Sequence, residues 1–149
     1  MAGTPQFTHA SLDDYRVIKA NLAGEARTTG HRQFPRTTFL SFDLAHIGLT
    51  EQEARLAGHD VRLARLPVPV IPRSRVTRET QGLWKAVIDA ATDRILGATL
   101  LGPDAGEVIA TVQTAMFAGL PYTALRDMPL THPTMAEGLN QLFANPTEE

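Results

Sequence analysis

His132 and Glu137 stand in the run Thr131-His132-Pro133-Thr134-Met135-Ala136-Glu137. An imidazole exchanges a proton near neutral pH with little tuning. A carboxylate bonded to one ring nitrogen fixes the tautomer and favours the charged ring. The pair therefore reads as a candidate acid/base couple. Two plainer readings stand beside it: Thr134 and Glu137 have the spacing of a capping box, and a histidine before proline fits an ordinary loop. Thr8 and His9 form a second candidate, because they open a helix, whose free amides favour anionic or electron-rich groups. A simple helix start is the alternative. His31, His46 and His59 lack metal-ligand spacing and read as surface residues.

Other chemistries are excluded or weakened by what the chain lacks. It has no cysteine, so disulfides, thiolate metal sites and thiol nucleophiles are all ruled out. No G-x-S-x-G elbow points to a serine hydrolase. Arg62, Arg65, Arg73, Arg75 and Arg78 cluster without interleaved aromatics, and the net charge is −2. No nucleic-acid partner is predicted. No apolar run approaches the roughly 18 residues of a membrane span, and the N-terminus has no basic start followed by an apolar stretch. A cytoplasmic protein is expected.

Elements that position these residues can be read from periodicity. Residues 7–23 predict a helix with Leu12, Tyr15, Ile18 and Leu22 at apolar positions, Asp13 and Asp14 near its positive end, and Gly24 as its stop. Residues 24–36 read as a linker. Strands are predicted at 37–42 and 61–70, with a short helix at 51–57 opened by a Thr50/Glu53 capping box. Residues 71–81 read as an exposed connection. Residues 83–90 and 94–101 form a hairpin around Ala91-Thr92-Asp93. Helices follow at 104–117, 121–126 and 134–143. The hairpin predicts an α+β fold: an antiparallel sheet with helices packed on one face, preceded by an N-terminal helix.

Three ordered stretches resemble the flavoprotein disulfide reductases, or pyridine nucleotide-disulfide oxidoreductases. They are Leu44-Ala45-His46-Ile47-Gly48-Leu49-Thr50-Glu51, then Arg94-Ile95-Leu96-Gly97-Ala98 through Gly102 to Glu107-Val108-Ile109, and then Thr131 to Glu137. The likeness is to the dimerisation domain at the family's C-terminus, nearest its mercuric-reductase-like and dihydrolipoamide-dehydrogenase-like members. Residues 37–149 would form that domain. Residues 1–36 resemble the end of the FAD domain, with Pro5-Gln6-Phe7-Thr8-His9 matching best. Phe42 departs from the family, which usually has proline there.

The resemblance implies a homodimer in which His132, oriented by Glu137, serves the partner's redox site, while Thr8 and His9 lie against the flavin. FAD and NAD(P) would belong to the intact enzyme and not to this chain alone, which has neither the redox cysteines nor a G-x-G-x-x-G fingerprint. A companion flavoprotein chain could bring the missing domains. The tail 144–149 has no cysteines, which disfavours mercuric ion as substrate. Val112, Met116, Leu139, Leu142 and Phe143 are the expected interface residues. The alternative is a free-standing, non-enzymatic dimerisation or interaction module.

Overall fold

A computed structural model describes residues 5–30 and 32–148, so His31 lies outside the described residues. The chain divides into two compact units, Met1–Phe34 and Pro35–Glu149.

The first unit is built on helix α1, Thr8–Leu22, which ends before Gly24 at φ +88°. A left-handed residue is readily supplied by glycine at a helix end. One side of α1 is covered by the segment that follows it. Ala10 and Val17 are buried, and the Arg27 guanidinium donates to Asp13 at 2.9 Å. Arg32 reaches both Asp13 and Asp14. The two acids thus bind arginines from the next segment, not the free amides of the first turn. Leu12, Tyr15, Ile18 and Leu22 remain exposed on the other side.

The second unit is an α+β layer. Its strands are β1 (Arg36–Thr38), β2 (Asp43–Gly48), β3 (Val61–Pro67), β4 (Leu83–Asp89), β5 (Ile95–Gly102) and β6 (Thr147–Glu148). They form one sheet in the order β1-β2-β5-β4-β3-β6. Every pairing is antiparallel. The β4–β5 hairpin supplies the two central strands, as the sequence predicts.

Alternation divides the side chains between two faces. Trp84, Ile88, Leu100 and Ile47 are fully buried on one. Against them pack α4 (Ala105–Phe117), α5 (Tyr122–Asp127) and α6 (Gly138–Leu142). Helix α2 (Glu51–Leu56) covers one corner of the opposite face, where Ala54 meets Val61, Leu63 and Val87. Its capping box is present: the Glu53 amide donates to Thr50 Oγ1 at 3.2 Å, and the Thr50 amide donates to Glu53 Oε2 at 2.8 Å. No described helix is long and apolar enough to cross a membrane.

Four local expectations are corrected. The strand predicted at 37–42 stops at Thr38, and the chain reverses through 39–42 so that Thr38 can pair with Leu44. Phe39 and Leu40 are 79% and 63% exposed, so their apolar character mimicked a strand without supplying buried positions. Strand β3 ends at Pro67, and Val68–Val70 forms a 3₁₀ turn. The connection 71–81 contains helix α3, Pro72–Thr77, opened by proline and closed by Arg78 at φ +63°. Proline suits a first helical turn because its missing donor has no role there. The last helix contracts from 134–143 to Gly138–Leu142.

Four of the five expected interface residues require the largest correction. Val112, Leu139 and Phe143 are 0% exposed and Leu142 is 1% exposed. They pack against this chain's own sheet. Met116 is half-buried and also packs on that core. Amphipathic spacing identified a buried stripe correctly, but one sheet is enough to cover it.

Candidate functional site

Between α5 and α6 the chain makes a compact loop held by local hydrogen bonds and by one buried side chain. Met135 is buried in the core. The Thr134 hydroxyl donates to the Thr131 carbonyl at 2.7 Å and accepts from the Glu137 amide at 3.3 Å. The His132–Pro133 peptide is cis. These constraints turn His132 back onto Glu137, and Nδ1 lies 2.7 Å from Glu137 Oε2. Only half of a capping box forms, because the carboxylate is directed at the imidazole.

The pair is asymmetric. The His132 side chain is 68% exposed, while that of Glu137 is 12% exposed. Glu137 Oε1 is buried with no hydrogen-bond partner among the described residues. With Nδ1–H donating to Oε2, Nε2 carries the lone pair, on a side chain that is largely exposed. This arrangement can accept a proton from an external donor and return it. The described residues also form a cleft of about 440 Å³ lined by Leu40, Phe42, Arg78, Glu79, Gln81 and Asp104, and neither His132 nor Glu137 borders it.

Two residues that the sequence reading passed over hold this loop in place. The Asn140 amide nitrogen lies within hydrogen-bonding distance of the carbonyls of Leu125, Arg126 and Met128, at 2.8, 3.1 and 2.9 Å. It ties α6 to the end of α5. Gly138 lets α6 sit directly on the core: a Cβ there would lie 2.6 Å from Ile71 Cδ1 and 2.7 Å from Trp84 Cζ3. The indole cannot move aside as an alkyl end can. Gly138→Ala is expected to destabilise the fold by about 1–3 kcal/mol, seen as a lower melting temperature in a thermal denaturation curve. An unchanged curve would contradict the close approach. A glycine in an amphipathic run signals close packing only weakly, and the triple carbonyl clamp has no sequence signature.

The other histidines separate by environment. His46 is half-buried, with Nδ1 2.9 Å from Thr99 Oγ1 and Nε2 3.0 Å from the Gly48 carbonyl. It is a satisfied sheet residue and not a free surface one. His59 Nδ1 lies 2.7 Å from Asp89 Oδ2, while Asp89 Oδ1 accepts from the Ala91 and Thr92 amides at 3.1 and 2.8 Å. This second imidazole–carboxylate pair locks the β4–β5 turn.

The hydrogen bond from His59, followed by that from Thr92, holds the Asp89 carboxyl below the usual aspartate range. A carboxyl lowered on folding stabilises the protein above its unfolded pKa of about 3.9. That contribution is lost as pH falls through the lower folded value. Asp89→Asn is therefore expected to destabilise the chain at pH 7, with the gap to the parent closing in acid. Melts from neutral pH down into that acid range check this, and a gap independent of pH would contradict it.

Thr8 and His9 lie at the exposed start of α1, where no side chain caps the helix. The His9 ring stacks on Phe7 with centroids 5.2 Å apart and tilts against Phe34 at 5.9 Å. The described residues contain no group of three or more His, Asp or Glu side chains placed to hold a metal.

Residues 34–143 match the family described as "Pyridine nucleotide-disulphide oxidoreductase, dimerisation domain". The chain belongs to this family. Among curated relatives, a probable pyridine nucleotide-disulfide oxidoreductase, RclA of Escherichia coli K12, is 45% identical over 146 residues, covering 97% of this chain and 33% of the relative. Mercuric reductase of Staphylococcus aureus is 36% identical over 136 residues, covering 91% of this chain and 25% of the relative. The solved structure of the HOCl-induced flavoprotein disulfide reductase RclA from E. coli superposes with a TM-score of 0.89 at 48% identity, over 93% of this chain and 32% of that one. The chain spans about a third or less of the length of these relatives. The likeness confirms the α+β dimerisation-domain fold.

Proposed function

We propose that this chain is the dimerisation part of an FAD- and NAD(P)-dependent disulfide reductase and lends His132 to the active site of a second subunit. The carrying observation is the outward His132 held by a nearly buried Glu137 at 2.7 Å. A catalytic base needs a neighbouring reactive group, and these 149 residues hold no cysteine. The sulfur that exchanges with substrate must come from elsewhere.

When bound, the flavin supplies electron transfer from a reduced nicotinamide towards a disulfide. This chain's residues fit only the margin of such a cofactor. The uncapped amides of α1 beside Thr8 and His9 suit an electron-rich ring edge. The antiparallel sheet offers no Rossmann phosphate cradle. His132 has the proton-transfer role: Nε2 receives a proton from a thiol in one half-reaction and returns it to a thiolate in the other. Glu137 preserves the tautomer that makes Nε2 the working atom.

The second copy belongs on the helical side in this reading, because the loop that carries His132 joins α5 to α6. Phe117, Leu120 and Met128 are 90%, 42% and 40% exposed and supply apolar contact without being part of the core. A two-fold interface uses one such surface twice. Phe117→Asp is expected to shift the particle from dimer to monomer in light scattering while leaving the circular dichroism spectrum intact. A parent chain that stays monomeric at high concentration, or a dimeric variant, would contradict this placement.

The E. coli relative's description as HOCl-induced supports placing this chain with reductases of that type. The experiment for the function is a chimera. This chain replaces the matching third of that relative, and disulfide-linked turnover with NADH and NADPH is measured before and after mutation of His132.

A further inference from the structure

Helix α5 ends without a local stop. Met128, its C-terminal cap, takes extended backbone at φ −68° and ψ 137°, so no left-handed residue folds the chain back over the last turn. The final carbonyls of a helix have no partner within it. Here the carbonyls of Leu125, Arg126 and Met128 converge on Asn140 Nδ2 of α6. The amide has two hydrogens for three acceptors, so one hydrogen is shared. Asn140 thus caps α5 from another helix.

That cap bears on the imidazole site. Glu137 is the residue on which α6 starts, and its backbone is already helical at φ −62° and ψ −19°. Asn140 follows it by about one turn, so the two move together as α6 moves. His132 belongs to the other piece: it follows Met128 in the chain, and its loop is pinned by the Thr134 hydroxyl on the Thr131 carbonyl. The 2.7 Å bond between His132 Nδ1 and Glu137 Oε2 spans the two pieces. Elsewhere α5 and α6 meet through apolar side chains such as Tyr122 and Phe143, whose ring centroids are 6.0 Å apart. Apolar contact is non-directional. The directional tie between the helices is Asn140.

We infer that Asn140 is a positioning residue for the proposed proton transfer: by holding α6 on the end of α5 it keeps Glu137 Oε2 on His132 Nδ1, and so keeps Nε2 free to accept a proton. The catalytic consequence rests on the proposed function, whereas the effect on the ring rests on the geometry alone. Which nitrogen of a neutral imidazole carries the proton is set by the hydrogen bond the other makes. A ring released from Glu137 divides its proton between the two nitrogens, and a ring protonated on Nε2 cannot accept there. Fewer rings are then competent, and the loss falls on kcat and not on KM.

The ring-nitrogen NMR resonances of His132 in this chain report the tautomer directly, in mildly alkaline solution where free imidazoles are neutral. The parent is expected to hold the Nδ1–H form, and Asn140→Ala to show a clear share of the Nε2–H form. Asn140→Ser keeps one donor, is the milder variant should Asn140→Ala fail to fold, and is expected to fall between the two. Val87→Ala, in the cluster under α2, loosens the core without touching α6 and should leave the tautomer as in the parent. In the chimera described above, Asn140→Ala should lower kcat by about 10-fold to 100-fold, the scale of a misplaced catalytic group, with KM unchanged. In a Glu137→Ala background the same substitution should cost nothing further, because no carboxylate is left to place. An unchanged His132 tautomer in the Asn140 variants would overturn the inference, as would a loss of kcat that repeats in full in the Glu137→Ala background. A chimera whose turnover is indifferent to His132→Gln would instead count against the proposed function, and the tautomer would still decide the role of Asn140.

Discussion

Replacing His132 by glutamine in a dimeric reductase that uses this chain is expected to lower disulfide turnover by about 10²–10⁴-fold, the usual contribution of a positioned acid/base group. Glutamine is the informative choice. Its amide can still donate to Glu137 Oε2, so the buried carboxylate keeps a partner, but it cannot carry a proton through the reaction. The side chain is 68% exposed, so the fold should be indifferent. The loss should fall on kcat more than on KM, and flavin reduction by nicotinamide should proceed as before. Turnover within a few-fold of the parent would remove His132 from the chemistry and leave it as a loop residue.

Leu142→Asp is expected to abolish cooperative folding. Its side chain is 1% exposed and belongs to the cluster that holds Trp84, Leu139 and Phe143. A carboxylate there loses both its hydration and the packing of the leucine. Effects of this kind exceed about 4–5 kcal/mol, against a total stability of about 5–15 kcal/mol for a typical domain. The expected observation is loss of the near-ultraviolet circular dichroism of buried Trp84 and of a cooperative melt. A folded monomer would instead show that Leu142 faces a second subunit. The contrast with Phe117→Asp separates core from interface. The first substitution should destroy the fold, and the second only the association.

Much of the fold was legible because local signals and tertiary needs agree. The β4–β5 hairpin, the Thr50/Glu53 capping box and the α4 stripe each follow from short-range pattern. The failures occurred where one pattern serves two purposes. Phe39 and Leu40 look like strand residues but lie on an exposed reversal. Val112, Leu139, Leu142 and Phe143 look like surplus apolar surface, yet they cover Trp84 and its neighbours in the sheet. Periodicity says which side of a helix is apolar but not what covers it. The His132–Glu137 pairing depended on resemblance, since spacing alone equally allowed a capping box. Asn140 and Gly138 were missed because their roles lie in tertiary contacts.

The most direct test of the central claim is complementation between two inactive subunits. One subunit carries His132→Gln with its redox cysteines intact, and the other keeps His132 but has those cysteines replaced. If His132 serves the opposite subunit, mixed dimers contain one complete site, and turnover returns on mixing and reassociation. If His132 serves its own subunit, every site in every dimer lacks an essential group, and the mixture stays as inactive as either parent.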